Sequence, residues 1–347
     1  MRFVTPALPI LVLSTLLIGG AFLLQGPAEG GRAEEDNAPR GDAGLDPAKE
    51  REHWTGLIDT KGAAAAYEDF KETFADSHFS LQHLNAHLFG ELLYRKLGIE
   101  GIAVCDATFA FGCYHSFFGQ ALAEHGMAAV EQLDRACIDK FGEYGTGCQH
   151  GIGHGLLEYF GHRQLIAALE GCTFTTQVQK LFGCTSGVFM EYNVPIIITP
   201  EFARTEVREL DGEGPYAPCA TIVPEGFRES CYYEMAQWWD KVYLGDYAKI
   251  GELCQGIALL KEQEPCYLGT GNVAAPSSDY DVASTIEKCE AMPTSEGEFL
   301  CRAGASWSFF AVPERRELAP LLCEGLGQDA YRCAQKSDLI GTGEITR

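Results

Sequence analysis

Basic residues are scarce. Only 26 lysines and arginines stand against 49 aspartates and glutamates, a formal charge of −23 over 347 residues. So acidic a chain repels phosphate backbones, which excludes nucleic acid as a partner and favours cationic ligands. Neither the C-x2-C spacing of zinc modules nor the C-x-x-C-H signature of attached haem occurs anywhere. "CTSGV" around Ser186 lacks the G-x-S-x-G elbow, so a serine hydrolase is not expected. "GTGNVAA" at 269–275 is a lone glycine cluster with no strand before it, and a nucleotide site is not expected there either. Histidine is absent from the second half: all nine lie at or before position 162.

Residues 1–25 are nearly free of charge. One arginine precedes an uncharged run from Ala7 to Leu24, and no clean small-x-small cleavage site follows it. The run suits an uncleaved signal anchor better than a cleaved signal peptide, and either one exports the remainder. The protein is therefore expected in the periplasm or at the cell surface, attached to the membrane through this segment, or secreted if it is cleaved. Residues 26–52 read as a flexible acidic linker. The rest, 53–347, is long enough for a substantial core.

What the chain has in plenty is cysteine. Its fourteen cysteines are Cys105, Cys113, Cys137, Cys148, Cys172, Cys184, Cys219, Cys231, Cys254, Cys266, Cys289, Cys301, Cys323 and Cys333. Taken as successive pairs, the inner gaps are 8, 11, 12, 12, 12, 12 and 10, and the first members recur at 32, 35, 47, 35, 35 and 34. A period near 35 over seven units signals a repeat array, and the one long interval marks an insertion at 195–218. Amphipathic runs such as "RQLIAALEGC", "DYAKIGELC", "DVASTIEKC" and "RRELAPLLC" end on the first cysteine of a pair. Apolar segments such as "CQHGIGHGLLEYFG" and "CYYEMAQWW" begin on the second. The expected fold is all-α, an α/α solenoid of about seven two-helix repeats, each pinned by a disulfide. A bridge of this kind contributes roughly 2–4 kcal/mol, without simple additivity.

In period and cysteine placement, residues 100–340 resemble exported, cysteine-rich relatives of tetratricopeptide repeats. The tetratricopeptide consensus residues themselves are missing. The blocks "QHLNAHLFG", "GCYHSFFG", "GCQHGIGHG" and "GCTSGVFMEY" also resemble motifs of exported prokaryotic proteins of unknown function, a resemblance that implies no activity.

The histidines carry the chemistry. His115 and His150 each lie two residues beyond the second cysteine of their repeats; the same slot later holds Ser186, Tyr233, Leu268 and Ala303. On a helix, His150, His154 and Glu158 share a face, and His83, His87 and Glu91 repeat that arrangement upstream. An H-x3-H pair clamps a transition-metal ion across one turn, and neutral imidazole suits copper, zinc or iron. The expected ligands are His83, His87, His115, His150 and His154. Glu91, Glu158, Glu191 and His162 are further candidates, as ligands or as groups that orient the rings. Gly147, Gly151 and Gly155 form a smooth stripe expected to bring the 83–91 helix close to the 147–160 helix. His53, His78 and His125 read as surface residues.

Two functions follow. The first is an extracytoplasmic metal-binding protein, which becomes a redox or hydrolytic enzyme if a coordination position stays open. The alternative is a non-enzymatic scaffold that binds a protein or peptide partner in the solenoid groove, with the histidines as hydrogen-bonded core.

Overall fold

The computed structural model describes residues 46–142, 145–176, 181–193 and 214–342. The anchor at 1–25, the linker up to residue 45 and the insertion up to residue 213 lie outside the described residues. Fourteen α-helices and several short 3-10 segments make up the described residues, with no strand among them.

Helix α1 (Pro47–Lys61) begins inside the stretch that composition assigns to the linker. Asp46 caps it, its carboxylate accepting the Ala48 N–H at 3.1 Å, and Pro47 presets the first turn. Trp54 then anchors the helix edge-on to Phe70 at 5.2 Å and to Phe89 at 5.9 Å. Local capping and one buried indole thus outweigh the polar composition.

The remaining helices are α2 (Ala63–Phe74), α3 (Phe79–Leu97), α4 (Gly112–His125), α5 (Val130–Phe141), α6 (Thr146–Phe160) and α7 (Leu165–Gly171). They continue with α8 (Cys184–Asn193), α9 (Arg228–Val242), α10 (Tyr247–Gln255), α11 (Leu260–Ala274), α12 (Val282–Glu290), α13 (Ser295–Ala311) and α14 (Ala330–Thr342). Helices α3, α4, α6, α8, α9, α11, α13 and α14 pack side by side in chain order as one layer. Helices α5, α7, α10 and α12 form the second layer, each against the helix that follows it. Cysteines pair successively as the spacing implies, giving seven bridges with Cα–Cα separations of 5.4 to 5.6 Å. Those from Cys137, Cys172, Cys254 and Cys289 tie a second-layer helix, or the residue just after it, to the first-layer helix that follows.

Two departures have local causes. "RRELAPLLC" lies in a 3-10 helix, Pro313–Leu322, instead of an α-helix, in which the Pro320 ring would press on the carbonyl four residues before it. The first layer also begins one helix before the first cysteine, at α3. Phe79 at its start packs on Tyr280 at 4.9 Å, and its N–H donates to Asp279 at 3.2 Å. The curvature of the array therefore brings its beginning against the α11–α12 connection.

First-layer helices approach each other closely at glycines. A Cβ on Gly153 would overlap the Cys184 carbonyl of α8, and one on Gly187 would overlap the His150 carbonyl of α6. Gly271 and Gly304 form the same reciprocal pair between α11 and α13, and Gly90 faces the Cys113 carbonyl. The stripe Gly147, Gly151 and Gly155 lies elsewhere on α6. It meets Phe111, Phe118 and Leu122, with virtual Cβ contacts of 2.5, 2.9 and 2.8 Å. These residues belong to α4 and the residue before it, so α4 intervenes between α3 and α6. The stripe brings α6 onto α4, and the 83–91 helix is one helix further away.

Candidate metal centre

Repeat register explains which side chains meet. Gly153 and Gly271 both stand five residues after the second cysteine of their repeats, so Gly90 in the same role puts Asn85 in the cysteine position. Two residues beyond Asn85 is His87. His87, His115 and His150 therefore occupy one slot on three successive first-layer helices, and His83 and His154 extend the face by one turn in opposite directions.

The five histidines do not gather round one point. They form two triads: His83, His87 and His115, then His115, His150 and His154. Within each triad, one ligand nitrogen per residue lies within 4.8 Å of the others. His115 belongs to both.

In the first triad, His83 Nδ1 lies 2.7 Å from the Phe109 carbonyl oxygen. A carbonyl only accepts, so Nδ1 carries the proton of the neutral ring and Nε2 presents a lone pair. His87 Nε2 lies 3.1 Å from His83 Nε2 and 2.9 Å from His115 Nδ1. Nitrogens sharing a metal with bonds of ~2.0–2.1 Å stand roughly 3.3 Å apart, so small adjustments suffice to admit an ion. Phe109, Ala110 and Phe111 all have left-handed backbone, with φ of 54°, 52° and 61°. Such conformations cost on the order of 1 kcal/mol each, and here they aim the Phe109 carbonyl at His83.

Deep burial shapes the second triad. His115, His150 and His154 are only 4%, 2% and 4% exposed. The His115 ring stacks on His154 with centroids 4.2 Å apart, and His150 stacks on Phe182 at 4.7 Å. His150 Nδ1 lies 2.7 Å from Ser186 Oγ, and that hydroxyl lies 2.9 Å from the Gly183 carbonyl. The other ring nitrogen, Nε2, faces Met190 Sδ, 3.2 Å away. His154 Nδ1 donates to Glu191 Oε2 at 2.6 Å, a carboxylate–histidine pairing that fixes the ring.

Burial lowers the pKa of His83, His115 and His150. Desolvation leads for His83, opposed in part by its bond to Phe109. Desolvation also leads for His115 and His150, with His154 the next cause, and holds both well below the usual imidazole range. Neutral rings are the metal-binding form.

The other candidates separate clearly. Glu191 takes the orienting role. Glu91 is engaged by Arg51 at 3.0 Å and by Arg95 at 2.7 Å and belongs to neither triad. Glu158 is exposed, with its carboxylate against Gly119. His162 stacks on Tyr192 at 4.3 Å and joins neither triad. His53, His78 and His125 are exposed. Met190 and the Phe109 carbonyl are the contributors that sequence reasoning missed. Met190 was discoverable: it lies six residues after Cys184, as His154 lies six after Cys148.

No helix among the described residues is long and apolar enough to cross a membrane. Seven disulfides point to an oxidising, extracytoplasmic location, since such bonds persist only outside reducing compartments. Comparison of the chain with protein-family models, with curated proteins and with solved structures finds no match.

Proposed function

We propose that the chain is an extracytoplasmic metal-binding protein whose helical-repeat scaffold holds a transition-metal ion on its histidines, with residues 1–25 serving for export and membrane attachment. One observation carries this reading. His83 Nε2, His87 Nε2 and His115 Nδ1 make two close contacts, at 3.1 and 2.9 Å, and one of the three is committed as a lone pair. A single proton makes only one of these contacts a linear hydrogen bond, and the other is left as two close ring nitrogens with no proton on the line between them. A protonated ring would resolve the clash, but burial opposes that charge. A metal ion uses all three lone pairs at once.

Copper is the favoured ion. Zinc, copper and iron all accept imidazole, but a thioether as close to the second triad as Met190 selects copper(I) among them. Met190→Leu is expected to weaken copper(I) binding roughly tenfold to a hundredfold and to leave zinc affinity nearly unchanged. Competition titrations with a copper(I) chelator and a zinc chelator would separate the two effects.

Elemental analysis of the purified, oxidised chain tests the reading itself. Copper, zinc or iron should be present in the wild type and lost when His83, His87, His150 and His154 are all replaced by alanine. A correctly disulfide-bonded wild type that holds none of these ions, and ignores them when added, would retire the proposal and leave the scaffold reading.

A further inference from the structure

We propose that the centre is binuclear and that the His115 imidazole bridges its two metal ions. Nδ1 would bind an ion shared with His83 and His87, and Nε2 one shared with His150 and His154. This rests on the metal-binding reading and goes beyond it in fixing the number of ions and the role of one ring.

Three observations lead there. His115 is the one residue common to both triads. Its Nδ1 is 2.9 Å from His87 Nε2, in the first triad. Its Nε2, on the far side of the ring, is buried and has no hydrogen-bond partner among the described residues. The two nitrogens of one imidazole diverge, so a single ion cannot take both. If an ion occupied only the first triad, the remaining ring proton would sit on Nε2 as a buried donor with no acceptor. Placing the proton on Nδ1 instead removes the first triad's third ligand.

A second ion removes the conflict. As it binds, the Nε2–H bond breaks, the proton leaves to solvent, and the Nε2 lone pair forms the new metal–nitrogen bond. The resulting imidazolate carries one negative charge between two cations, which suits a site that otherwise holds mostly neutral rings. Glu191, on the outer side of His154, supplies a further anionic group.

The test loads the full, oxidised chain with copper(II) and measures ions per chain together with the electron-paramagnetic spin count. The bridge requires about two ions per chain and a spin count well below that number, because an imidazolate couples the two unpaired electrons. His87→Ala and His154→Ala, which lie on opposite sides of the bridge, should each leave about one ion with a full one-spin signal. One ion per wild-type chain would overturn the bridge while keeping the metal-binding reading. Two ions with fully independent spins would overturn it too. No ion at all would remove the metal-binding reading, and the bridge with it.

Discussion

Gly187→Ala is expected to destabilise the protein by about 3 kcal/mol or more, at the upper end of overpacking costs. The added methyl would overlap the His150 carbonyl oxygen, which is backbone on a neighbouring helix and cannot rotate away. Nor can the helices slide apart readily. Gly153 meets the Cys184 carbonyl in the reciprocal direction, and both helices are pinned by disulfides at Cys148 and Cys184. Any separation of α6 from α8 also pulls His150 from Ser186 and Met190, so affinity at the second triad should fall together with stability. Gly56→Ala is the control. That glycine lies in exposed helix with nothing near its virtual Cβ, and the substitution should stabilise by about 1 kcal/mol through helix propensity. Chemical denaturation of the two variants with the bridges intact gives both numbers. Equal, small effects would show that the close approach is not rigid.

The metal-free protein is expected to be most stable near pH 6.5, as far as His115, His150 and Glu234 set the profile. His115 and His150 are held neutral, first by burial and then by neighbouring imidazoles. The unfolded chain takes up protons on them below about pH 6.5 and the folded chain does not, so stability is complete above that pH and falls as pH drops. Each ring contributes a loss of about 1.4 kcal/mol per pH unit until its folded pKa is reached. Glu234 acts in the opposite sense. Burial holds its carboxyl well above the usual range, with a bond to Ser186 offsetting part of the shift. The folded form keeps its proton where the unfolded chain ionises, above about pH 4.3, so this contribution falls as pH rises. Between those pH values the two histidines outweigh the one glutamate; above about 6.5 only the glutamate remains. Denaturation midpoints at pH 5, 6.5 and 8 should therefore peak in the middle. Glu234→Gln should flatten the alkaline side and steepen the acid side. A wild-type profile that rises steadily to pH 8, or a variant that keeps the alkaline decline, would show that Glu234 is not protonated in the fold.

Much of this was legible in the sequence because its signals are local. Cysteine spacing sets the repeat, while the successive pairing of its cysteines comes from the structure. Helical period sets the faces, so His83 with His87 and His150 with His154 are adjacent by geometry alone. Where local patterns compete, reading is harder. Asp46, Pro47 and Trp54 start a helix in a stretch whose composition looks like linker, and Pro320 turns an amphipathic run into a 3-10 helix.

By itself, then, the sequence determined an all-α, disulfide-pinned array with histidines confined to its first helices. Only the tertiary structure decided that the histidines form two triads and not one cluster, that His115 stands between them, and that Met190, Glu191 and the Phe109 carbonyl complete their surroundings. The reason is physical. Secondary structure and nearby bridges depend on neighbours in the chain, whereas convergence of side chains depends on how far apart successive helices sit and how each is rotated. Here glycines at Gly153 and Gly187 set that distance, and the carbonyls they face belong to helices more than thirty residues away.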